Sequence, residues 1–102
     1  MIPLLLKHKS ALDELCRRHH VRRLEIFGSA ASDRFDPASS DLDFLVEFES
    51  LPRGAYADNY FGLLEALESL FERPVDLVSV SAIKNPYFRE AVDQTKALLY
   101  AA

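Results

Sequence analysis

From Asp41 to Phe48 the chain alternates, with Leu42, Phe44, Val46 and Phe48 on one side and Asp41, Asp43, Leu45 and Glu47 on the other. A period of two is that of a β-strand, and its wholly apolar side belongs in a core. Val21 to Phe27 alternates in the same way, Leu24 and Ile26 against Arg23 and Glu25, and stops at Gly28-Ser29, a glycine that punctuates a strand end. Val75 to Val80 is a short β-branched run with Asp76 inside it, entered through Pro74, and reads as a buried strand.

Helical periods fill the intervals. Leu5, Leu12, Leu15, Cys16 and His19 predict one amphipathic helix from about Pro3 to His20. The small and polar stretch Ala30 to Ser40, with Pro37 and Ser39-Ser40, predicts a short helical turn and a loop. Leu51-Pro52-Arg53-Gly54 reads as a turn, after which Tyr60, Leu63, Leu64, Leu67, Leu70 and Phe71 follow helical spacing until Pro74. Asn85-Pro86 supplies an N-cap and a first-turn proline for a last helix whose apolar stripe is Phe88, Ala91, Val92, Thr95 and Leu99. The order helix, strand, short helix, strand, helix, strand, helix describes one α/β domain over residues 1–102, without repeats.

Composition narrows the function classes. A hydrophobic share of 49% and a mixed-sign charged share of 27% are those of a folded domain, not a disordered tail. Sixteen acidic against 12 basic residues give a net charge of −4, which argues against a sequence-independent nucleic-acid binder. The apolar run Met1 to Leu6 is shorter than a signal core or a membrane span, so a cytoplasmic location away from the membrane is expected. The single cysteine, Cys16, can form no internal disulfide and reads as a packed helix residue.

Chemistry concentrates in the acids. Asp41 and Asp43, two apart on a strand, point the same way with Cα atoms roughly 6.5–7 Å apart. If Asp76 lies on a neighbouring strand, a third carboxylate joins them. Two carboxylates about 4 Å apart repel by about 4 kcal/mol at an effective dielectric of 20, a cost that a cation removes. Oxygen ligands of this kind suit Mg²⁺ or Mn²⁺, whose remaining positions go to water and phosphates, which implies a nucleotide or polyphosphate substrate. Taken alone, an Asp-x-Asp pair is more often a turn cap and an exposed acid. Gly28-Ser29 shifts the balance, because a glycine at a strand end lets backbone N–H groups approach an anion, although a plain turn with a serine cap has the same sequence.

Together, Ile26-Phe27-Gly28-Ser29, eleven residues, Asp41-Leu42-Asp43-Phe44-Leu45-Val46 and then Val75-Asp76-Leu77-Val78 resemble the signature of the DNA polymerase β-like nucleotidyltransferases. The short length is similar to that of their minimal members, and Lys84-Asn85-Pro86-Tyr87-Phe88-Arg89 resembles the close of many of them. The resemblance implies an α+β fold, a small mixed sheet with helices packed on one face and a cleft on the other. It implies that Gly28 and Ser29 hold the triphosphate of ATP, that Asp41 and Asp43 bind Mg²⁺, and that Asp76 completes the metal site and faces the attacking hydroxyl. Many relatives carry an arginine soon after the Gly-Ser pair. This chain reads Ala30-Ala31-Ser32-Asp33-Arg34, so Arg34 is the cation available in that loop, with Lys84 a second candidate for the phosphates.

Minimal nucleotidyltransferases of this type resemble the antitoxin of a pair whose toxin is a helical HEPN-domain ribonuclease, and there AMP passes from ATP to a tyrosine of the toxin. A chain of 102 residues has little room to recognise an acceptor, which fits a hydroxyl supplied by a separate protein, in a homo- or hetero-oligomer. The alternative is a non-catalytic antitoxin that occludes its toxin and keeps the acids as a vestige, a reading prompted by Ser32 and Asp33. Transfer to a small molecule would need a second substrate-binding domain.

The remaining polar residues have structural readings. His8, His19 and His20 lie in or at the end of the first helix, and His19-His20 suits the helix C-terminal dipole better than a metal. Arg17, Arg18, Arg22 and Arg23 read as a solvated helix end beside Asp13, Glu14 and Glu25 rather than an RNA contact. Tyr56, Tyr60 and Phe61 read as packing rather than a base-stacking platform.

Overall fold

The structure is a computed structural model that describes residues 2–31, 36 and 41–102. Its elements are α1 (Pro3–Lys7), α2 (Lys9–Arg18), β1 (Val21–Phe27), β2 (Leu42–Phe48), α3 (Ala55–Phe71), β3 (Val75–Ser79), α4 (Pro86–Thr95) and β4 (Ala97–Ala101), with 3-10 turns at Gly28–Ala31 and Val80–Ala82. The strands form one mixed sheet in the order β3-β2-β1-β4. β1 pairs antiparallel with β2 and β4, whereas β2 and β3 are parallel, an arrangement that needs a crossover such as α3.

Alternation along the strands decides what each face does. Leu24, Ile26, Leu42, Phe44, Val46, Val75, Leu77 and Leu99 form the buried face. They pack against Leu5 of α1, Leu12 and Cys16 of α2, and Leu63, Leu67 and Phe71 of α3. In α3 those buried residues recur every four positions, as the sequence pattern requires. Cys16 is buried and free, and burial pushes its thiol up to about 12, which makes it inert. α2 approaches α3 at Gly62, where an added Cβ would meet His19 Nε2 at 3.1 Å.

The opposite face carries a smaller cluster of Phe27, Leu45 and Val92, extended by Val78, Val80 and Ile83. Val92 belongs to α4, so the last helix lies on this face while α1, α2 and α3 cover the other. Phe88 of α4 meets the Phe27 ring edge-on at 6.1 Å. α4 thereby raises a wall beside the strand ends that carry the acids.

Three expectations change. The N-terminal helix is broken at His8, whose ring meets Phe71 edge-on at 5.4 Å, and it ends at Arg18 rather than His20. His20 turns left-handed (φ 59°) to start β1, while the His19 ring N–H donates to the Leu15 carbonyl at 2.8 Å, serving the helix C-terminus as expected. β3 is an edge strand buried on one face, so Asp76 is exposed. The last helix stops at Thr95, and Leu99 enters the core from β4, a strand the helical spacing concealed. Ala97 to Ala101 has weak strand propensity, and its pairing along the free edge of β1 overrides that preference.

The Asn85 cap is present: its side-chain oxygen accepts from the N–H groups of Tyr87 (2.9 Å) and Phe88 (3.3 Å). Asn85→Ala is expected to cost about 1 kcal/mol. A fall of several degrees in Tm on thermal unfolding checks it.

Candidate active site

Asp43 and Asp76 are register partners on the parallel strands β2 and β3, and Phe27 is the antiparallel partner of Asp43 on β1. Register alone therefore sets the two carboxylates side by side at one end of the open face. They are close enough to interact directly. Burial, then the neighbouring Asp76 carboxylate, then the Asp41 charge, push the Asp43 carboxyl up to about 6. Asp41 is exposed just ahead of β2.

Gly28 closes the other side of the pair. It follows β1 with φ 70°, and a Cβ at this position would lie 2.5 Å from Asp43 Oδ2. Only a residue without a side chain lets the backbone and the carboxylate approach so closely. The Gly28 N–H donates to Thr95 Oγ1 at 3.1 Å, and Ser29 sits half-buried in the 3-10 turn that follows.

Of the expected site residues, Gly28, Ser29, Asp43 and Asp76 are brought together, and Asp41 contributes its charge from the rim. Among the described residues no three His, Cys, Asp or Glu side chains gather tightly enough to cage a metal. The convergent donors are the Asp43–Asp76 pair, and they fit Mg²⁺. Two neighbouring carboxylates repel when both are ionised, a cost that a divalent cation removes, and magnesium takes one or two protein carboxylates. Arg34, with Ser32, Asp33 and the turn through Pro37, Ser39 and Ser40, lies outside the described residues. Lys84 is exposed on the segment leading into α4.

A family model described as "Nucleotidyltransferase domain" matches residues 8–98. The chain belongs to that family. The nucleotidyltransferase is 37% identical over 91 residues to a Methanocaldococcus jannaschii protein provisionally named a protein adenylyltransferase, a match covering 89% of this chain and 86% of the relative. It is 37% identical over 82 residues to the protein adenylyltransferase MntA of Thermococcus cleftensis, covering 80% and 76%. A solved structure provisionally named a minimal nucleotidyltransferase superposes with a TM-score of 0.73 at 35% identity, over 91% of this chain and 90% of that one. The fold alone is shared with a chain of the tri-AMPylated Shewanella oneidensis HEPN toxin in complex with MNT antitoxin (TM-score 0.65, 18% identity, 96% and 73% covered). The chain is thus a transferase with the minimal fold, and both sequence relatives bear the name of protein adenylyltransferases.

Several of the other polar groups of this nucleotidyltransferase have partners within the fold. Arg17 and Arg18 pair with Glu14 at 3.1 and 4.0 Å, in a network at the end of α2. Tyr56 stacks on Tyr60, whose hydroxyl donates to the Leu77 carbonyl and so caps the β3 edge. No helix among the described residues is long and apolar enough to cross a membrane. Sequence reasoning missed two groups on the open face, Thr95 of α4 and Glu25 of β1. Thr95 sits at the helical spacing of the apolar stripe, which disguised it as packing. Glu25, buried on the open face, lies 3.3 Å from Arg23 Nε and 3.9 Å from Lys96 Nζ, and strand alternation had placed it in solvent.

Proposed function

We propose that this chain is a Mg²⁺-dependent protein adenylyltransferase that moves AMP from ATP to a tyrosine hydroxyl of a helical HEPN-type toxin, and so serves as its antitoxin. The observation that carries this reading is the Asp43–Asp76 pair held against the left-handed Gly28. Two acids forced together beside a close-approaching backbone are costly for a fold to keep, and they match the needs of a triphosphate with its counter-ion. The names of the relatives support AMP as the group transferred, and the toxin complexes of like fold support a HEPN partner.

In this reading Gly28 and Ser29 offer the strand-end turn to the triphosphate. Asp76, exposed on the edge strand, faces the acceptor and is placed to take its hydroxyl proton. The acceptor oxygen bonds to the α-phosphorus, the bond from that phosphorus to the bridging oxygen of the β-phosphate breaks, and pyrophosphate leaves. Mg²⁺ held by Asp43 and Asp76, with Asp41 at the rim, would supply charge neutralisation at the attacking and leaving oxygens.

Incubation with α-labelled ATP, Mg²⁺ and a lysate of the source cells tests the proposal. One labelled protein band, absent with Asp41→Ala/Asp43→Ala and carrying its label on tyrosine by mass analysis, is expected. An unlabelled lysate despite nucleotide binding would overturn catalysis in favour of occlusion of a toxin. Label on a small molecule would overturn the protein acceptor.

A further inference from the structure

Gly28 is gripped from two sides, and only one of them belongs to the acidic pair. On one side its backbone abuts Asp43 Oδ2, with no room for a Cβ. On the other its N–H donates to Thr95 Oγ1, the last residue of α4, across 67 positions of sequence. β1 has ended at Phe27, and the Gly28 N–H finds its acceptor on a helix of the open face.

The hydroxyl is well suited to hold this donor. Thr95 Oγ1 also lies 3.4 Å from the Ala91 and Val92 carbonyls, so its own proton has acceptors within the helix while a lone pair receives Gly28. The helix end that carries it is fixed on three counts. Val92 is buried with Phe27 and Leu45, Phe88 meets the Phe27 ring, and Lys96 reaches Asp93 at 3.0 Å and Glu25 at 3.9 Å. Glycine samples left- and right-handed backbone about equally, so a turn built on Gly28 needs an external contact to select one conformation.

We infer that Thr95 is a positioning residue of the nucleotide site: it fixes the Gly28 peptide in the left-handed conformation that sets the distance between the phosphate-facing turn and the Asp43 carboxylate. The inference rests on the nucleotidyltransferase reading of the site and extends it to α4, which no part of the Gly-Ser and Asp-x-Asp signature includes. Thr95 touches no reacting atom and acts through Gly28.

Binding of the non-hydrolysable analogue AMP-PNP with Mg²⁺ to the full chain, measured by calorimetry well below the Tm, tests it. Thr95→Val keeps the shape and removes the acceptor, and it is expected to weaken binding about 3- to 10-fold, the range for one net hydrogen bond. Thr95→Ser keeps the acceptor and is expected to bind within about twofold of the wild type. In transfer assays Thr95→Val raises the KM for ATP while kcat changes much less, the signature of lost ground-state placement. A Thr95→Val protein that melts earlier yet binds the analogue as the wild type does would make the contact merely structural and overturn the inference. Equal losses in Thr95→Val and Thr95→Ser would overturn it as well. Wild type that does not bind AMP-PNP at all would overturn the reading of this turn and acidic pair as a nucleotide site, and this inference with it.

Discussion

Asp43→Asn is expected to abolish nucleotidyl transfer and, in the absence of Mg²⁺, to make the protein more stable at neutral pH. The two effects have one cause. The wild-type carboxyl titrates at about 6 in the fold against 3.8 for the free group, because burial and then Asp76 disfavour its charge. A group whose folded pKa is raised stabilises the fold while it is protonated. That contribution is complete below pH 4 and is lost as pH rises through about 6. Linkage at 1.36 kcal/mol per pH unit makes the loss about 3 kcal/mol, and solvent around the half-exposed carboxyl reduces it to about 1–2 kcal/mol. Asparagine never ionises and does not lose it. Denaturant unfolding of the two proteins without metal should therefore converge below pH 4, separate between pH 4 and 6 and stay apart above that, the variant being the more stable. Mg²⁺ should raise the midpoint of the wild type and leave that of Asp43→Asn almost unchanged. Transfer should fall by about 10³-fold or more, since the variant loses a carboxylate from the charge-stabilising pair, a contribution of several kcal/mol. An Asp43→Asn protein that transfers normally, or one destabilised throughout the pH range, would remove the acidic pair from the mechanism.

What the sequence made legible follows from how local each signal is. Strand alternation places Asp43 and Asp76 on the same face as soon as β2 and β3 are adjacent, and the crossover helix between them, with Leu63, Leu67 and Phe71 at four-residue spacing, makes adjacency the natural outcome. The Gly28-Ser29 punctuation is likewise local, and its meaning came from the resemblance. What stayed hidden depends on long-range pairing. Leu99 satisfies the spacing of a helix continuing past Thr95, and only the vacant edge of β1 turns Ala97–Ala101 into a strand. That reversal also decides where α4 lies, because a chain that must return to pair with β1 carries the preceding helix onto the face beside Phe27 and Leu45. Thr95 and Lys96 acquire their partners Gly28 and Glu25 from this placement. Neither partner could be read from spacing along the helix.

The companion result concerns Gly28, for which Gly28→Ala is expected to lower transfer by about 10²-fold, the scale on which a displacement of about 1 Å damages a reacting geometry. Two costs combine at this position. A left-handed φ of 70° strains any L-residue by about 1–2 kcal/mol. The new methyl would also stand 2.5 Å from Asp43 Oδ2, so either the carboxylate or the turn must move. Gly54 separates the two effects. Its φ of 88° carries the same strain, but nothing lies within 4 Å of an added Cβ, so Gly54→Ala should lose about 1 kcal/mol of stability and keep full transfer. If strain alone governed Gly28, the two alanine variants would behave alike in both assays. The steric share can be isolated further by combining Gly28→Ala with Asp43→Ala, which deletes the atom that is struck. The stability cost of Gly28→Ala should then shrink toward that of Gly54→Ala, a coupling of about 1 kcal/mol that independent sites would not show. Strict additivity in that cycle would mean that the glycine and the carboxylate are neighbours without consequence, and that the turn answers to its backbone conformation alone.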